Sequence, residues 1–353
     1  MRVNLPPKNI AVEAHRKITV TVIGAGVAGL TAATELTEQG LLVEVIDSGP
    51  SIGPHSCSWY AGAMLAPWCE GETAEEKVVR LGQESIDWWD QHVPGVVRKG
   101  SLVVTANRDN SELDRFSRRT AQHSWLDTDA INSLEPDLKE IFRRALFFPD
   151  EAHLNPRLAL KALEEKLISR GVRIFYNMRM EDYNVASEFI VDARGIAAQD
   201  TLADLRGVKG EMLMLKTRDI TLTRPVRLLH PRYPMYIVPH DNNIFMIGAT
   251  QIETEERSRI TARGMVDLLN AAYTVHPAFA EAEIIEVGCD VRPAFPDNQP
   301  RLRRLGRTFY INGLFRHGFL LAPAMARMTA EAILNPDFVP EVMDEYLCER
   351  ASL

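Results

Sequence analysis

The feature that most constrains this chain is a β-branched run, Ile18 to Ile23, that passes directly into Gly24-Ala25-Gly26-Val27-Ala28-Gly29 and an alanine-rich stretch. The run reads as a buried strand and the stretch after it as a helix. At this spacing each glycine serves a separate purpose. Gly24 makes the tight turn, Gly26 lets a pyrophosphate approach the backbone, and Gly29 lets the helix pack close, with the helix N-terminus facing the phosphates. Gly40 is a good left-handed stop, and Leu42 to Ile46 then supplies a second short strand closed by Asp47, 18 residues past Gly29. A carboxylate there takes ribose hydroxyls and disfavours a 2′-phosphate, so a dinucleotide other than NADP is expected. The glycines alone do not separate FAD from NAD.

Farther along, Thr73 to Gln91 reads as one helix opened by a Thr73–Glu76 capping box. Asn155-Pro156 offers an N-cap and first-turn proline for a helix that stops at Gly171 before a strand, Val172 to Phe175. Between about 207 and 297 the texture becomes strand-like: Met212 to Leu215, Tyr236 to Pro239, Ile244 to Ala249 and Glu283 to Val291. His240-Asp241-Asn242-Asn243 forms a four-residue turn between two of these, so an antiparallel hairpin and a second domain are expected. The last segment returns to α/β style, with a strand Thr308 to Asn312, a glycine-containing loop, and a helix from about Pro323 to Leu334. That loop would place a second helix N-terminus against the cofactor, where its positive end suits the charge that a reduced flavin develops.

Composition excludes other classes. Forty Lys and Arg against 48 Asp and Glu, a net charge of −8, is the wrong sign for gripping nucleic acid. No run approaches the roughly 18 apolar residues of a membrane span. Residues 1–17 form a polar extension without a signal-peptide core, so a cytoplasmic location is expected. Cys57, Cys69, Cys289 and Cys348 are scattered, which suggests reduced thiols rather than a metal or disulfide framework.

Taken in order, GAGVAGL at the glycine turn, AGAMLAP at 61–67, VDARG at 191–195, RGVKGEM at 206–212, YIVP at 236–239, VRP at 291–293 and RHGFLLAP at 316–323 resemble the D-amino-acid oxidase family of flavoproteins, the bacterial glycine oxidase branch of thiamine-pathway type in particular. The resemblance implies an α/β, two-domain fold: a discontinuous Rossmann-like FAD-binding domain (1–90, 152–206, 298–353) and an α+β substrate domain on a mostly antiparallel sheet (91–151, 207–297). It implies non-covalent FAD held by Gly24, Gly26, Val27, Ala28, Gly29, Asp47, Ser48, Ala63, Met64, Gly195, Arg316, His317, Gly318, Phe319 and Leu320. Around the substrate it places Arg292 as the carboxylate clamp and Tyr236 as a lining residue of the same pocket, with Met64 beside the flavin and Arg316 near the flavin and the pocket mouth; His317, next to the flavin, is a candidate for tuning charge on the ring. The chain departs from the glycine oxidase pattern at His240, Leu314 and His317. The implied reaction is oxidation of a small amino acid or amine, glycine- or sarcosine-like, to an imine by hydride transfer to flavin, with dioxygen as acceptor giving hydrogen peroxide. No metal is called for, and homo-oligomerisation is left open. A dehydrogenase with another electron acceptor and a non-catalytic nucleotide-binding protein are the competing readings.

Overall fold

In the computed structural model, residues 17–106, 109–230 and 235–344 are described; nearly all of the N-terminal extension, Cys348 and the expected C-terminal stretch 345–353 lie outside them. The strand Thr19–Ile23 is central in a six-stranded sheet, parallel to Leu42–Ile46 on one side and Phe189–Asp192 on the other. Arg173–Phe175 and Thr308–Asn312 extend it in parallel, and Arg301–Leu305 closes one edge antiparallel. The helix Val27–Glu38 crosses over as the first βαβ unit requires, with Leu30, Ala33 and Leu36 fully buried.

The second sheet has eight strands. Its order runs from the edge strand Glu283–Ala294 through Arg206–Lys216, Ile244–Gly248, Met235–His240, Val226–Leu229, Ser101–Thr105 and Arg144–Phe148 to Ser124–Asp127. All its pairings are antiparallel except Val226–Leu229 with Ser101–Thr105. Side chains alternate across it: Leu213 and Leu215 pack with Leu268, Ala272 and Val275 of the helix Ala262–Val275, whereas Met212 and Met214 join Val238 and Met246 on the other face, where Tyr236 and Met64 also pack. That second face is the one that meets the first sheet's glycine turn. Among the described residues no helix is long and apolar enough to cross a membrane.

Several expected elements are redrawn. The stretch 73–91 is two helices, Glu76–Gly82 and Ser85–His92, and the residue ahead of the first is Glu75, whose side chain makes no cap bond. Thr73 instead closes a turn with its N–H on Glu70 O, so no capping box forms. Gly82 is where the chain passes Leu320 so closely that a Cβ would lie 2.8 Å from its Cγ. The hairpin loop is three residues, because His240 still pairs with Ile244.

The last helix begins five residues earlier than expected, at Gly318, and runs through Pro323 to Leu334. Proline leaves the carbonyl of Phe319 without its helical N–H, and the Trp89 indole N–H takes that carbonyl at 2.8 Å. An outside donor therefore replaces the missing helical bond, which local sequence does not reveal.

Candidate active site

Backbone sterics set the glycine turn. Gly24 adopts φ +104° with Ala193 O only 2.6 Å from where a Cβ would stand, and a Cβ on Gly29 would fall 1.8 Å from Gly24 O. Gly29 accordingly packs the helix against the turn and does not line the cavity, whereas Gly24, Gly26, Val27 and Ala28 do. No side chain caps the helix through its N-cap Gly26; the Val27 N–H donates to Ser58 Oγ at 3.0 Å. The Asp47 carboxylate braces the turn, accepting from Ala25 N–H at 2.6 Å and Gly49 N–H at 2.7 Å while facing the same cavity with Ser48.

The helix Gly318–Leu334 starts with no side-chain cap. It lies against the first helix, with Thr31 Oγ1 reaching Ala322 O at 3.4 Å. Both N-termini open on one cavity of about 510 Å³, within the size range of small-molecule sites. An uncapped helix start presents free N–H donors and the equivalent of about half a positive charge. Two helix starts in one cavity suit a ligand with a diphosphate at one place and a ring that gains negative charge at another. Gly195, Ala63, Phe319 and Leu320 line the same cavity. The residues present therefore fit FAD. Met178 to Glu181, Ser56 and Ser58 also line the cavity and carry no motif that a sequence reading detects.

At the other end the groups aimed inward are side chains. Tyr236 sits in strand register with Gly248, and its ring occupies space kept open by two glycines: a Cβ would lie 2.6 Å from Cε2 if placed on Gly62 and 3.1 Å if placed on Gly248. Arg292 lies opposite Val208 in the pairing of Arg206–Lys216 with Glu283–Ala294. Its Nη2 stands 2.1 Å from where a Cβ of Gly210 would be, so glycine there makes room for the guanidinium. Nη1 donates to Thr250 O at 3.1 Å, and no carboxylate partners Arg292 among the described residues. Burial pulls its affinity for the proton below the ordinary arginine range, yet it stays charged. A half-buried cation without a counterion favours an anionic ligand.

Arg316 is different. It meets Glu70 at 3.0 Å, and the same carboxylate holds Arg227 at 3.3 Å and lies 3.5 Å from His317 Nδ1. Burial alone would raise the Glu70 carboxyl, but Arg316, His317 and Arg227 together pull it down to about 2. Burial lowers His317 to about 4, against the pull of Glu70, so the imidazole is neutral near pH 7. Glu70, on the four-residue helix Pro67–Glu70, was not anticipated: an isolated carboxylate after a tryptophan and a cysteine carries no spacing signal.

Of the remaining anticipated residues, Met64 sits in a two-residue strand paired with His153 and lines the cavity, as do Arg316, His317, Gly318 and the departing Leu314. His240, the other departure, is not part of the lining. Among the described residues no three His, Cys, Asp or Glu side chains are grouped to hold a metal ion.

Comparison with known proteins gives consistent findings. A family model described as FAD dependent oxidoreductase matches residues 19–332. A Rhizobium etli protein described as the thiamine biosynthesis oxidoreductase ThiO is 53% identical over 323 residues, 91% of this chain and 98% of that one. The glycine oxidase of Bacillus licheniformis is 24% identical, with 95% of this chain and 98% of that protein covered. Among solved structures, iminodiacetate oxidase from Chelativorans sp. BNC1 superposes with a TM-score of 0.77 at 24% identity, covering 91% of this chain and 97% of the other. That likeness establishes the two-domain flavoprotein fold.

Proposed function

The chain belongs to the FAD dependent oxidoreductase family, and from that premise we propose that it oxidises the C–N bond of a small amino acid, glycine or sarcosine in type, with dioxygen as electron acceptor. The uncompensated guanidinium of Arg292, facing Tyr236 in the cavity on which both helix N-termini open, carries this reading. The 53% identity to the Rhizobium etli protein supports a role in thiamine biosynthesis and makes glycine the first substrate to test.

In this proposal the segments 1–90, 152–206 and 298–353 form the FAD-binding domain and 91–151 with 207–297 the substrate domain; strand membership of the two sheets supports that division. The turn at Gly24 and Gly26 with Val27 and Ala28 holds the diphosphate, Gly29 letting the helix pack close behind it, Asp47 and Ser48 hold the ribose, and Ala63, Met64, Gly195 and residues 316–320 the flavin. FAD, when bound, supplies the two-electron acceptor for the carbon bearing the amine. Arg292 grips the substrate carboxylate through two parallel hydrogen bonds, which fixes the α-carbon at one distance from the ring. Tyr236 borders that carboxylate, and Met64 and Leu314 keep water from the reacting carbon. The amine proton leaves to solvent or a backbone carbonyl as the substrate settles, so no acid–base triad is needed.

Attachment is non-covalent in this reading. His55 is engaged with Asp47 at 3.2 Å, and burial pushes the Cys57 thiol up to about 12, which leaves little thiolate to attack a ring. An anaerobic screen of amines read by flavin bleaching tests the whole proposal. Glycine, sarcosine or a similar amino acid should bleach the flavin and air should restore it. A flavin that no amino acid reduces sinks the substrate class, and recovery only with a quinone or dye sinks the oxidase assignment.

A further inference from the structure

Three arginines line the substrate end of the cavity: Arg257, Arg292 and Arg316. Arg257 is matched by Asp290 at 2.7 Å and also donates to His55 O at 3.0 Å. Arg316 is matched by Glu70, and Arg227, the second cation on Glu70, has Glu72 at 3.9 Å as another neighbour. Glu70 and Arg316 both border the cavity with their side chains mostly buried, 14% and 21% exposed, so solvent screens this pair only weakly. Arg292 and Arg316 are near enough for each to feel the other's charge.

We propose that Glu70 sets the charge of the substrate: by neutralising Arg316 it leaves Arg292 as the one uncompensated guanidinium at this end among the described residues, so the pocket takes an amine bearing one carboxylate and rejects one bearing two. This rests on the reading of Arg292 as the clamp. A second carboxylate entering the site would meet an arginine already paired and, behind it, the Glu70 charge, and a like-charge encounter in a dry site costs specificity-scale energies. Without the Glu70 charge, Arg316 becomes a second open cation and the preference reverses.

The test compares acetate with malonate as unreactive probes of the FAD-loaded protein, by calorimetric titration at a pH where both acids are fully ionised. The native protein should bind malonate about tenfold more weakly than acetate, or worse. Equal or tighter malonate binding overturns the proposal without any variant. Glu70→Gln should move the malonate-to-acetate affinity ratio by about tenfold or more toward malonate, and an unmoved ratio overturns it. Should that variant fail to fold, Arg316→Gln gives the opposite prediction, because it removes the cation on the cavity side of Glu70 and leaves only Arg227 paired with that carboxylate: malonate should weaken further relative to acetate, and a ratio unchanged or shifted toward malonate overturns the proposal. Arg292→Lys tests the underlying clamp separately. Undiminished acetate affinity there refutes the clamp, while the ratio in the native protein still reports on Glu70.

Discussion

At the glycine-turn end of the cavity the inward-facing groups are backbone N–H donors of two helices, whereas at the Arg292 end they are side chains delivered by strands and a short helix far apart in the chain. The first kind of site is fixed by the fold: its geometry follows from the absence of Cβ atoms at Gly24, Gly26 and Gly29 and from Asp47 bracing the turn. The second kind is adjustable, since one substitution alters charge or reach and leaves the backbone alone. A fold of this class therefore keeps one cofactor while substrates change.

The contrast is broken most severely at the backbone end. Gly26→Asp puts a side chain and a negative charge where the diphosphate approaches, and the purified variant should carry no FAD. Full visible flavin absorbance per mole of folded protein would refute the assignment of that end. Arg292→Ala should do the reverse, keeping full flavin content while kcat/KM falls roughly 30-fold to a few thousand-fold, as expected when one partner of a buried charge pair is removed. Because the lost contact belongs to the carboxylate, the variant should also discriminate less between an amino acid and the amine lacking that group. An unaltered ratio of the two kcat/KM values would assign the carboxylate to another residue, with Arg316 next.

His317 stands at the junction of the two ends, as the residue before the last helix and a neighbour of Glu70. Its folded value of about 4 lies below the 6.5 of a free imidazole. The unfolded chain takes up the proton first, so the stabilisation from a neutral His317 is complete above pH 6.5 and is lost as pH falls to about 4. The full change is about 3 kcal/mol. His317→Asn should flatten the dependence of the urea midpoint on pH across that window. A native-like slope in the variant would mean the imidazole is not held neutral. The smallest expected effect is at Gly210: an alanine Cβ would press on Arg292 Nη2, displacing the guanidinium, so Gly210→Ala should lower kcat/KM by about tenfold at full flavin content. No change in kcat/KM would show that the guanidinium has room to spare.

The backbone end was legible in the sequence because its requirements are local. A β-branched run, three glycines and a following carboxylate are read within thirty residues, and the helix Pro156–Ser169 was likewise announced by its Asn155 cap, whose side chain accepts from Arg157 N and Leu158 N. What escaped reading was set by tertiary partners. Gly82, the last residue of the helix Glu76–Gly82, has no room for a Cβ beside Leu320, and in the last helix Trp89 donates to the Phe319 carbonyl that Pro323 leaves without its helical N–H. Glu70 is the clearest case. Its meaning comes wholly from Arg227 and Arg316, which lie more than 150 positions away in the chain. The departures at 240 and 314 looked equivalent in sequence, yet only Leu314 reaches the cavity.

The contact between the first helix and the last, Thr31 against Ala322, joins the start of the described chain to its end, and both helices aim their N-termini at one ligand. Occupancy and folding are thereby thermodynamically linked. Whatever binds there bridges two segments that otherwise meet through apolar packing and the Thr31 Oγ1–Ala322 O hydrogen bond, and it stabilises only the state in which they are docked. By mass action, free FAD at a hundred times its dissociation constant adds about 2.7 kcal/mol to the folded state. The amount of intact enzyme in a cell should then follow flavin supply as well as its own synthesis, with the apoprotein the form exposed to proteolysis.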